Sequence, residues 1–245
     1  MIEDALVIVP AYNEGMVIEE TLEELKKFAA RIIVVDDGSK DDTAARAEKA
    51  GAEVFVHCVN SGYGAALKTG FTAALRFFKE PYLFAFDADG QHDPVYLESL
   101  ISTLRKAEAD YVIGSRFLSR ETSPTPIARK AGSRVFSIAT SALIGQRITD
   151  PTSGMIALTR NVAKVFASKL FPFDFPDADV LIMLSRMGYR IKEVPVRMRE
   201  ARRPGSMHSG LVRPAYYILK MSVSMVHFAL RRDLKEQRRE MESVF

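Results

Sequence analysis

The sequence predicts an α/β protein, in which a mostly parallel β-sheet is flanked by helices and followed by a C-terminal helical extension. Short apolar runs rich in β-branched residues alternate with amphipathic helical patterns through the first half of the chain. These runs are nearly unbroken, as expected for strands that are covered on both faces. The 245 residues, 47% apolar and 27% charged, are ordinary for a globular protein and exclude a disordered or collagen-like chain.

The first half divides into five predicted strands and the helices that connect them. The strands are the apolar runs at residues 5–9, 32–35, 53–56, 82–86 and 111–113. The connecting helices are predicted at residues 18–29, at 43–50, from the loop 60–64 to Phe78, and at 94–107.

The second half has a looser pattern of strands and helices. Helices are predicted near residues 129–144 and 178–187. Strands are predicted at residues 155–159 and 191–198, and a C-terminal helix is predicted from residue 212 to about residue 239.

Charge is distributed unevenly along the chain, although the formal net charge is only +3. Residues 1–100 hold 18 acidic and 9 basic side chains, whereas residues 101–245 hold 13 acidic and 25 basic side chains. The first part is therefore net negative and the second part net positive. This asymmetry points to an acidic or phosphorylated partner.

Cysteine content and hydropathy narrow the class of protein further. The single cysteine, Cys58, excludes a disulfide scaffold and a thiolate metal site, and it suits a reducing compartment. The chain starts directly with a strand-like run, so no secretory signal is expected. Residues 214–230 form the most apolar long stretch, but Lys220 and His227 interrupt it, and we expect no membrane-spanning helix.

Carboxylates follow three of the predicted strands, at residues 10–14, 36–39 and 87–91. The carboxyl ends of parallel strands meet at one edge of a sheet, which is where ligands bind in open α/β proteins. Carboxylates gathered at one edge repel one another, and this repulsion favours a bound cation among them.

Two of these strand ends carry residues with a specific chemical interpretation. Asp87, Asp89 and Gln91 supply oxygen ligands that suit Mg²⁺ together with substrate phosphates, although the same residues could form an ordinary solvated turn. Asp36 and Asp37 are candidates for hydrogen bonds to a ribose or a base, and the alternative for them is a turn.

Five sequence blocks are informative because of their order and spacing. They are Val-Pro-Ala-Tyr-Asn-Glu (9–14), Val-Val-Asp-Asp-Gly-Ser (34–39), residues 60–70, Asp-Ala-Asp-Gly-Gln-His (87–92) and Gly-Ser-Arg (114–116). Residues 150–154, 175–179 and 193–196 extend the pattern into the second half. Over roughly residues 5–210 the sequence resembles the family 2 glycosyltransferases, and in particular the dolichyl- and polyprenyl-phosphate sugar synthases of that family. The resemblance implies the GT-A fold, with a Rossmann-like sheet.

The resemblance also implies how a nucleotide sugar would be bound. The nucleotide-sugar site would be built from Pro10, Tyr12, Glu14, Asp36, Asp37, Asn60, Gly64 and Asp87. Mg²⁺ or Mn²⁺ would be held with the diphosphate by Asp87, Asp89 and Gln91. In this family the metal neutralises the nucleoside diphosphate leaving group, and the anomeric carbon is inverted by direct displacement. Asp89 and Arg116 are therefore predicted as catalytic residues.

The basic second half suggests a second phosphate site. In the polyprenyl-phosphate branch, matching Arg and Ser side chains hold the acceptor phosphate, and their counterparts here are Arg116, Arg129, Ser133, Arg202 and Arg203. Arginine is well suited to bidentate phosphate contacts, and the alternative is a solvated basic face. In residues 202–206 the Ser follows the Gly directly, unlike the usual family signature, so Arg202 and Arg203 both stay candidates.

Asp177 and Asp179 have two possible roles. In relatives that glycosylate sugar hydroxyls, an acidic residue at this place acts as a general base, because a neutral hydroxyl must lose its proton. A phosphate acceptor is already ionised and needs no base. Asp177 or Asp179 is therefore either catalytic or the start of the following helix.

The predicted organisation is one GT-A domain over residues 1–210 and a basic amphipathic helix over 211–245. Residues 1–115 would bind the nucleotide sugar and metal, and residues 116–210 the acceptor. In the C-terminal helix an apolar face precedes a basic segment, and it either docks on the sheet core or lies at a membrane or membrane-subunit interface. The face comprises Ile218, Met221, Met225 and Phe228.

The sequence thus predicts a metal-dependent inverting glycosyltransferase that moves a sugar from a UDP- or GDP-sugar to a polyprenyl phosphate. A sugar hydroxyl in surface-polysaccharide or glycolipid assembly is the alternative acceptor. A nucleotide-sugar binding or nucleotidyl-transfer protein is the alternative of a different class, but the Gly-rich signature of such proteins is missing from residues 1–20. We expect a cytoplasmic protein, peripheral at the membrane, with no nucleic-acid partner.

Overall fold

The structure of the chain, a computed structural model, describes residues 1–118, 127–174, 176–199 and 212–244. The strands are β1 (Ile2–Ala11), β2 (Ala29–Asp36), β3 (Glu53–Val56), β4 (Tyr82–Ala85), β5 (Tyr111–Ser115), β6 (Ile156–Thr159) and β7 (Ile191–Pro195). Within the described residues they form one seven-stranded sheet in the order β3-β2-β1-β4-β6-β5-β7. Neighbouring strands are parallel except at β6, which is antiparallel to β4 and β5. The predicted mostly parallel sheet is confirmed.

Helices cover both faces of the sheet. They are α1 (Ile18–Leu25), α2 (Thr43–Lys49), α3 (Tyr63–Phe77), α4 (Leu97–Arg105), α5 (Ile127–Ile144), α6 (Arg160–Ala167), α7 (Ala178–Met187), α8 (Val212–Leu230) and α9 (Leu234–Val244). Successive side chains of a strand point to opposite faces, so β1 contributes to two cores. Leu6 and Ile8 join the core formed with α3, α6 and α7, whereas Val7 and Val9 join the core formed with α1 and α4.

Several predicted boundaries in the first half differ from the structure, and two of the differences change the type of element. Helix α1 ends at Leu25, and Ala29 begins β2 instead of continuing the helix. The reason is a tertiary contact: the Ile2 N–H donates to the Phe28 carbonyl, and Ala29 pairs with Ile2 as a strand residue. The helix predicted at 94–107 starts as a 3₁₀ turn, Pro94–Tyr96, and α4 follows it.

The second half contains a helix that the sequence pattern does not predict. Helix α6 follows β6 without a connecting loop, and it buries Val162, Ala163, Val165 and Phe166. The last predicted strand is also shorter than expected, because β7 ends at Pro195. Beyond β7, Met198 forms an isolated bridge with His92, which ties this segment to the loop after β4.

The prediction of one C-terminal helix from residue 212 to about 239 is wrong, because α8 ends at Leu230 and α9 begins at Leu234. Met221, Met225 and Phe228 are buried against the core, so three members of the predicted apolar face are confirmed. Ile218 is 52% exposed and does not belong to that face. None of the helices in the described parts of the chain is long and apolar enough to cross a membrane.

Candidate active site

Most of the predicted nucleotide-binding and metal-binding residues follow the ends of three adjacent parallel strands. Strands β2, β1 and β4 are neighbours in the sheet, and Ala11 at the end of β1 is paired with Asp36 at the end of β2. Because neighbouring strands lie only about 4.8 Å apart, the segments that leave them face one another. The loops after β1, β2 and β4 thus form one polar edge, as the sequence predicts.

The loop after β1, which carries Pro10, Tyr12 and Glu14, is fastened to the loop after β2. The Asn13 N–H donates to Ser39 Oγ at 2.8 Å, and the Glu14 N–H donates to Thr43 Oγ1 at 2.9 Å. Asn13 has a φ of 55°, in the left-handed region that Asn tolerates better than most residues. Pro10 is buried, whereas Tyr12 and Glu14 are half-buried and line the edge.

Asp36 and Asp37 are both buried, at 3% exposure, and both accept hydrogen bonds from this chain's own loops. Asp36 Oδ1 accepts the Ser39 N–H at 2.9 Å. Asp37 accepts the Ser61 N–H on Oδ1 at 2.9 Å and the Gly62 N–H on Oδ2 at 2.8 Å. Their contact with a ribose or base stays a prediction. The structure adds a second role for each: Asp36 holds the turn after β2, and Asp37 holds the loop before α3.

That loop contains the predicted donor residues Asn60 and Gly64. Asn60 is exposed, and Gly62 has a φ of 96°, a conformation that favours glycine, where α3 begins. A Cβ on Gly64 would lie 2.3 Å from the carbonyl oxygen of Phe173. The start of α3 therefore packs directly against the segment that leads to Asp177.

Asp87 is held by hydrogen bonds on both carboxylate oxygens. The Tyr63 hydroxyl donates to Oδ1 at 3.0 Å, and His92 Nε2 lies 3.3 Å from Oδ2. Burial alone would raise the pKa of Asp87, but the His92 and Tyr63 hydrogen bonds and the charge of Arg116 lower it overall. Gly154 closes the other side, since a Cβ there would lie 1.9 Å from Oδ2. Asp87 is thus fixed as a carboxylate.

Asp89 and Gln91 form a compact unit two residues further on. The Gln91 backbone N–H donates to Asp89 Oδ1 at 2.9 Å, and Gln91 Nε2 donates to Oδ2 at 2.8 Å. Gln91 therefore orients Asp89 here, and its own role as a metal ligand stays a prediction.

The donor set at this edge fits a divalent cation that shares its coordination with a substrate. Among the described residues no three His, Cys, Asp or Glu side chains are grouped as a complete metal site. Mg²⁺ characteristically uses one or two carboxylates and takes its other ligands from substrate phosphates and water. The carboxylates of Asp87 and Asp89 match that mode, and they do not match an all-protein cage.

Arg116 lies at the end of β5 and is clamped by a buried carboxylate. Its Nε donates to Asp150 Oδ2 at 2.6 Å and its Nη2 to Asp150 Oδ1 at 2.7 Å, while Asp150 itself is fully buried. Nη2 also donates to the hydroxyl of Thr152. Glu193 of β7 accepts the backbone N–H groups of Thr149 and Asp150, which fixes Asp150 in turn.

This clamp was not predicted from the sequence, although residues 150–154 and 193–196 resemble the family. A buried bidentate pair of this kind orients a guanidinium rigidly. None of the described residues accepts a hydrogen bond from Arg116 Nη1. Thr152, which accepts from Arg116 Nη2, lies two residues before Gly154, and Gly154 packs against the Asp87 carboxylate, so Arg116 lies at the same edge as the predicted metal ligands.

The other predicted acceptor-phosphate residues lie partly outside the described residues. Arg202 and Arg203 lie outside them, and for Arg129 only the backbone, in α5, is described. Ser133 in α5 is 7% exposed, and its buried hydroxyl has no hydrogen-bond partner among the described residues. A buried hydroxyl without a partner is costly, so Ser133 retains capacity for a ligand.

Asp177 and Asp179 flank the start of α7 but have different surroundings. Asp179 is 1% exposed and accepts the N–H groups of Asp177 and Val180 and the hydroxyl of Ser224. Asp179 thus accepts backbone N–H groups at the start of α7, which is the helix-opening role that the sequence leaves open. Burial, together with the charges of Asp179 and Asp87, raises the pKa of Asp177 to about 7 against the hydrogen bond from Tyr217. The catalytic role of either residue stays a prediction.

Helix α8 supplies three donors to this acidic segment, and sequence reasoning missed them. The Tyr217 hydroxyl donates to Asp177 Oδ2 at 2.8 Å, and Ser224 donates to Asp179 Oδ2 at 2.5 Å. Lys220 pairs with Asp174. The three donors are three and four residues apart and so share one side of the helix. That spacing is the one signal in the sequence that could have indicated them.

Comparison with known proteins decides which kind of protein carries this site. A model of glycosyl transferase family 2 matches residues 6–166, well over half of the chain. The chain belongs to glycosyltransferase family 2. The family assignment made from the sequence blocks is thereby confirmed, and the protein is an enzyme of this class.

Individual glycosyltransferases are similar over most of the chain. An undecaprenyl-phosphate mannosyltransferase of Micrococcus luteus is 32% identical over 218 residues, which cover 84% of this chain and 87% of that protein. A UDP-N-acetylglucosamine–dolichyl-phosphate N-acetylglucosaminyltransferase of Methanococcus voltae is 30% identical, covering 78% of this chain and 83% of that protein. The resemblance to the polyprenyl-phosphate branch is confirmed.

Solved structures confirm the fold of this family 2 glycosyltransferase. The crystal structure of glucosyl-3-phosphoglycerate synthase from Mycobacterium tuberculosis, in complex with Mn²⁺, UDP-glucose and phosphoglyceric acid, has a TM-score of 0.68 at 20% identity. The likeness covers 92% of this chain and 79% of that chain. The GT-A fold implied by the sequence blocks is therefore the fold of this chain.

Proposed function

We propose that this glycosyltransferase moves a sugar from a nucleoside diphosphate sugar to a polyprenyl phosphate, inverting the anomeric carbon. One observation carries the proposal: the clamped guanidinium of Arg116 lies at the same edge as the Asp87 carboxylate, because the segment 152–154 contacts both side chains. A carboxylate site for a metal–diphosphate then lies beside a cation for a second phosphate. The names of the two relatives, which act on undecaprenyl phosphate and dolichyl phosphate, support this acceptor.

Asp87 and Asp89 would hold Mg²⁺ or Mn²⁺ in this proposal, with the Gln91 side chain supporting Asp89. When bound, the metal would neutralise the negative charge that develops on the diphosphate leaving group. The glucosyl-3-phosphoglycerate synthase structure contains Mn²⁺ and UDP-glucose, which supports a nucleotide-sugar donor here. The edge formed by the loops after β1 and β2 would receive the nucleoside, with residues 1–115 as the donor half.

The acceptor half needs no general base in this reaction. An oxygen of the ionised acceptor phosphate forms the new bond to the anomeric carbon while the bond from that carbon to the diphosphate breaks. The bonding electrons leave with the nucleoside diphosphate, so no proton has to move. Arg116 would bind the acceptor phosphate through Nη1, and the Ser133 hydroxyl would donate to it.

Transfer to a sugar hydroxyl is the second candidate, and one observation favours it. The pKa of Asp177 is raised to about 7, where a carboxylate is an effective general base near neutral pH. In that reaction Asp177 would take the hydroxyl proton as the oxygen attacks the anomeric carbon. The two candidates differ in whether Asp177 is required.

The surface of α8 supports a peripheral position at a membrane. One side of this helix carries an apolar stripe, defined as Tyr216, Leu219, Val223, Val226 and Leu230, whose members are between 54% and 74% exposed. The members recur every three or four residues, and the buried residues Met221 and Met225 lie on the opposite side. Exposed apolar side chains in such an array are typical of a helix that lies in a lipid interface.

A basic groove continues the apolar stripe at the end of α8. It has a volume of about 600 Å³ and is lined by Arg186, Arg231, Arg232 and Lys235. Arg231 is paired with Asp233, and no described carboxylate lies within ion-pair distance of the other three cations. Cations beside an apolar stripe complement the anionic head groups of a bilayer, which is where a polyprenyl phosphate resides.

Sugar transfer in vitro tests the proposal. The purified chain is incubated with UDP- and GDP-sugars, Mn²⁺ or Mg²⁺ and a short-chain polyprenyl phosphate, and the anomeric configuration of the product is determined. We expect an inverted sugar phosphate from the wild type and from Asp177→Asn, and none from Arg116→Ala. Loss of transfer in Asp177→Asn together with transfer to a sugar hydroxyl by the wild type would establish the second candidate.

A further inference from the structure

His57 forms a bridge between the end of β2 and helix α3. It follows β3 directly, and its backbone N–H donates to the carbonyl of Asp36 at 2.8 Å. Its Nδ1 lies 2.7 Å from Asp37 Oδ1, and its Nε2 lies 2.9 Å from the Thr69 hydroxyl. The imidazole is 17% exposed, so both contacts are largely shielded from water.

We infer that His57 is a positioning residue for the nucleotide-sugar subsite, because it fixes the Asp37 carboxylate that shapes the loop before α3. This inference rests on the proposed nucleotide-sugar donor and adds a residue that the motifs do not assign. The hydrogen-bond partners of the His57 ring are Asp37 and Thr69, so its influence on a bound nucleotide passes through Asp37.

The hydrogen bonds of Asp37 explain how that influence reaches the loop. Asp37 is 5% exposed at its side chain and accepts the N–H groups of Ser61 and Gly62 in addition to the His57 ring. Two successive backbone donors on one carboxylate define the path of the loop into α3. The His57 ring is the side-chain donor that stops the carboxylate from rotating away from both.

Close packing transmits the same constraint to the metal side of the site. A Cβ on Gly38 would lie 2.7 Å from the carbonyl carbon of Val59, so the loop rests directly on the turn after β2. Tyr63 is the first residue of α3, and its hydroxyl donates to Asp87. The bridge from His57 through Asp37 thus sets the position of Tyr63 and supports one of the two carboxylates proposed to bind the metal.

The chemistry of the ring predicts which substitutions preserve the bridge. A carboxylate only accepts hydrogen bonds, so Nδ1 donates to Asp37, and the partner of Nε2 is the Thr69 hydroxyl, which can donate or accept. An Asn side chain places its amide N–H near the position of Nδ1, whereas a Gln side chain places its amide near Nε2. His57→Asn therefore keeps the donor to Asp37 and loses the Thr69 contact, and His57→Gln does the reverse.

Nucleotide affinity tests the inference in the full chain. Dissociation constants for UDP and GDP with Mn²⁺ are measured by calorimetry for the wild type, His57→Asn, His57→Gln and Cys58→Ser, and thermal unfolding monitors the fold. We expect His57→Gln to raise the dissociation constant of the nucleotide by about tenfold and His57→Asn to raise it by less than about threefold. The two variants differ by the one charge-assisted hydrogen bond to Asp37. Cys58 is exposed and adjacent, so Cys58→Ser serves as the matched control and should bind as the wild type does.

Rescue by the Asn variant is the decisive readout, because a purely structural role would make the two variants equally weak. Equal affinities of His57→Gln and the wild type would overturn the inference, as would equal losses in both His57 variants. If His57→Gln does not fold, Thr69→Val, which removes the partner of Nε2 alone, should bind within about threefold of the wild type, and a larger loss would overturn the inference.

If the wild type binds neither nucleotide, the proposed function fails and this inference fails with it. Normal nucleotide binding without transfer to a polyprenyl phosphate would contradict the proposed acceptor and leave the His57 comparison valid.

Discussion

Asp177 shows how strongly one side chain's surroundings set its chemistry. The carboxyl group is enclosed by protein at the start of α7, with the Asp179 and Asp87 carboxylates nearby and the Tyr217 hydroxyl as a hydrogen-bond donor. Burial and the two like charges outweigh that hydrogen bond, so its pKa is raised from 3.8 to about 7. The folded protein therefore holds a proton at Asp177 that the unfolded chain releases at lower pH.

We expect Asp177→Asn to become more stable relative to the wild type as the pH rises. Between about pH 4 and pH 7 the folded wild type binds more protons than the unfolded chain, so its free energy of unfolding falls through this window. Asn cannot ionise and still accepts the Tyr217 hydrogen bond. The difference in melting temperature, variant minus wild type, should be larger at pH 8 than at pH 5, by up to roughly 10 °C.

Calorimetric or fluorescence melting of both proteins from pH 4.5 to pH 8.5 checks this expectation. Val56→Ala, which changes an exposed side chain that does not ionise, is the control and should show a difference that does not vary with pH. A constant difference for Asp177→Asn would mean that Asp177 is ionised in the folded protein throughout this range.

Gly154 is a second residue whose surroundings allow a sharp prediction. A Cβ at this position would lie 1.9 Å from Asp87 Oδ2, so Gly154→Ala forces the Asp87 carboxylate to move. We expect Mn²⁺-dependent binding of UDP or GDP to weaken by tenfold or more, with a loss of unfolding free energy of about 1–3 kcal/mol. Calorimetric titration and thermal melting measure the two effects.

Gly145→Ala is the matched control for that substitution. Gly145 has a φ of +73°, and a Cβ there would meet no atom within 4 Å, so the variant carries backbone strain of about 1 kcal/mol and no clash. It should lose stability and keep its nucleotide affinity. A Gly154→Ala protein that binds nucleotide as Gly145→Ala does would show that Asp87 need not stay in place.

Helix α8 has two sides with opposite surroundings. One side donates hydrogen bonds from Tyr217 and Ser224 to the acidic residues at the start of α7. The other side carries the apolar stripe, which is exposed along four turns of helix. The helix therefore connects the proposed lipid-facing surface to the proposed acceptor half through a single rigid element.

We expect Val226→Glu to abolish most binding to anionic vesicles without destabilising the protein. Val226 is 54% exposed, so its substitution changes little in the core, and the added charge must leave water to enter a lipid interface. Sedimentation with phosphatidylglycerol-containing vesicles should show a decrease in bound protein of about tenfold or more.

Val56→Glu provides a matched control, since Val56 is 58% exposed and lies in β3 of the donor half. It should bind vesicles as the wild type does. If Val226→Glu and the wild type bind vesicles equally, the stripe does not face lipid. If the wild type instead sediments as a dimer that Val226→Glu dissociates, the stripe is an interface between two copies of the chain.

The elements that were predicted correctly are those whose pattern is local. Residues 53–56 and 178–187 are recovered without a shift, because each pattern depends on the residues of one element alone. The first is a short run of β-branched and aromatic residues, and the second repeats apolar residues at helical spacing. The antiparallel direction of β6 and the end of α1 are set by partners distant in the chain. Ile2, for example, draws Ala29 into β2.

The same division applies to the candidate site. The strand-end residues, such as Asp36 and Asp87, are at the edge that the sequence predicts. Their partners were not predicted: Asp150 is 34 residues from Arg116, and Tyr217 is 40 residues from Asp177. The pairing of side chains this far apart leaves no signal in the sequence pattern, so it becomes visible only when the fold brings them together.

At the scale of the whole molecule, the uneven charge corresponds to two kinds of proposed anion site. Residues 1–100, with 18 acidic and 9 basic side chains, contribute Asp87 and Asp89, which need a cation before they tolerate a diphosphate. Residues 101–245, with 25 basic side chains, contribute Arg116 and the basic groove, which attract anions directly. The two kinds of site should therefore respond differently to metal removal and to salt.

We expect EDTA to abolish nucleotide binding and to leave vesicle binding unchanged. With Mn²⁺ and nucleotide at about 100 times the dissociation constant, the melting temperature should rise by roughly 5–10 °C, and EDTA should remove this rise. Binding to anionic vesicles should persist in EDTA and fall steeply between about 0.05 and 0.5 M salt, since exposed charges are screened over that range. Asp89→Asn should lose the nucleotide effect alone. A nucleotide-induced rise that survives EDTA would contradict the role of Asp87 and Asp89 as metal ligands, because the diphosphate would then be bound by cationic side chains of the chain itself.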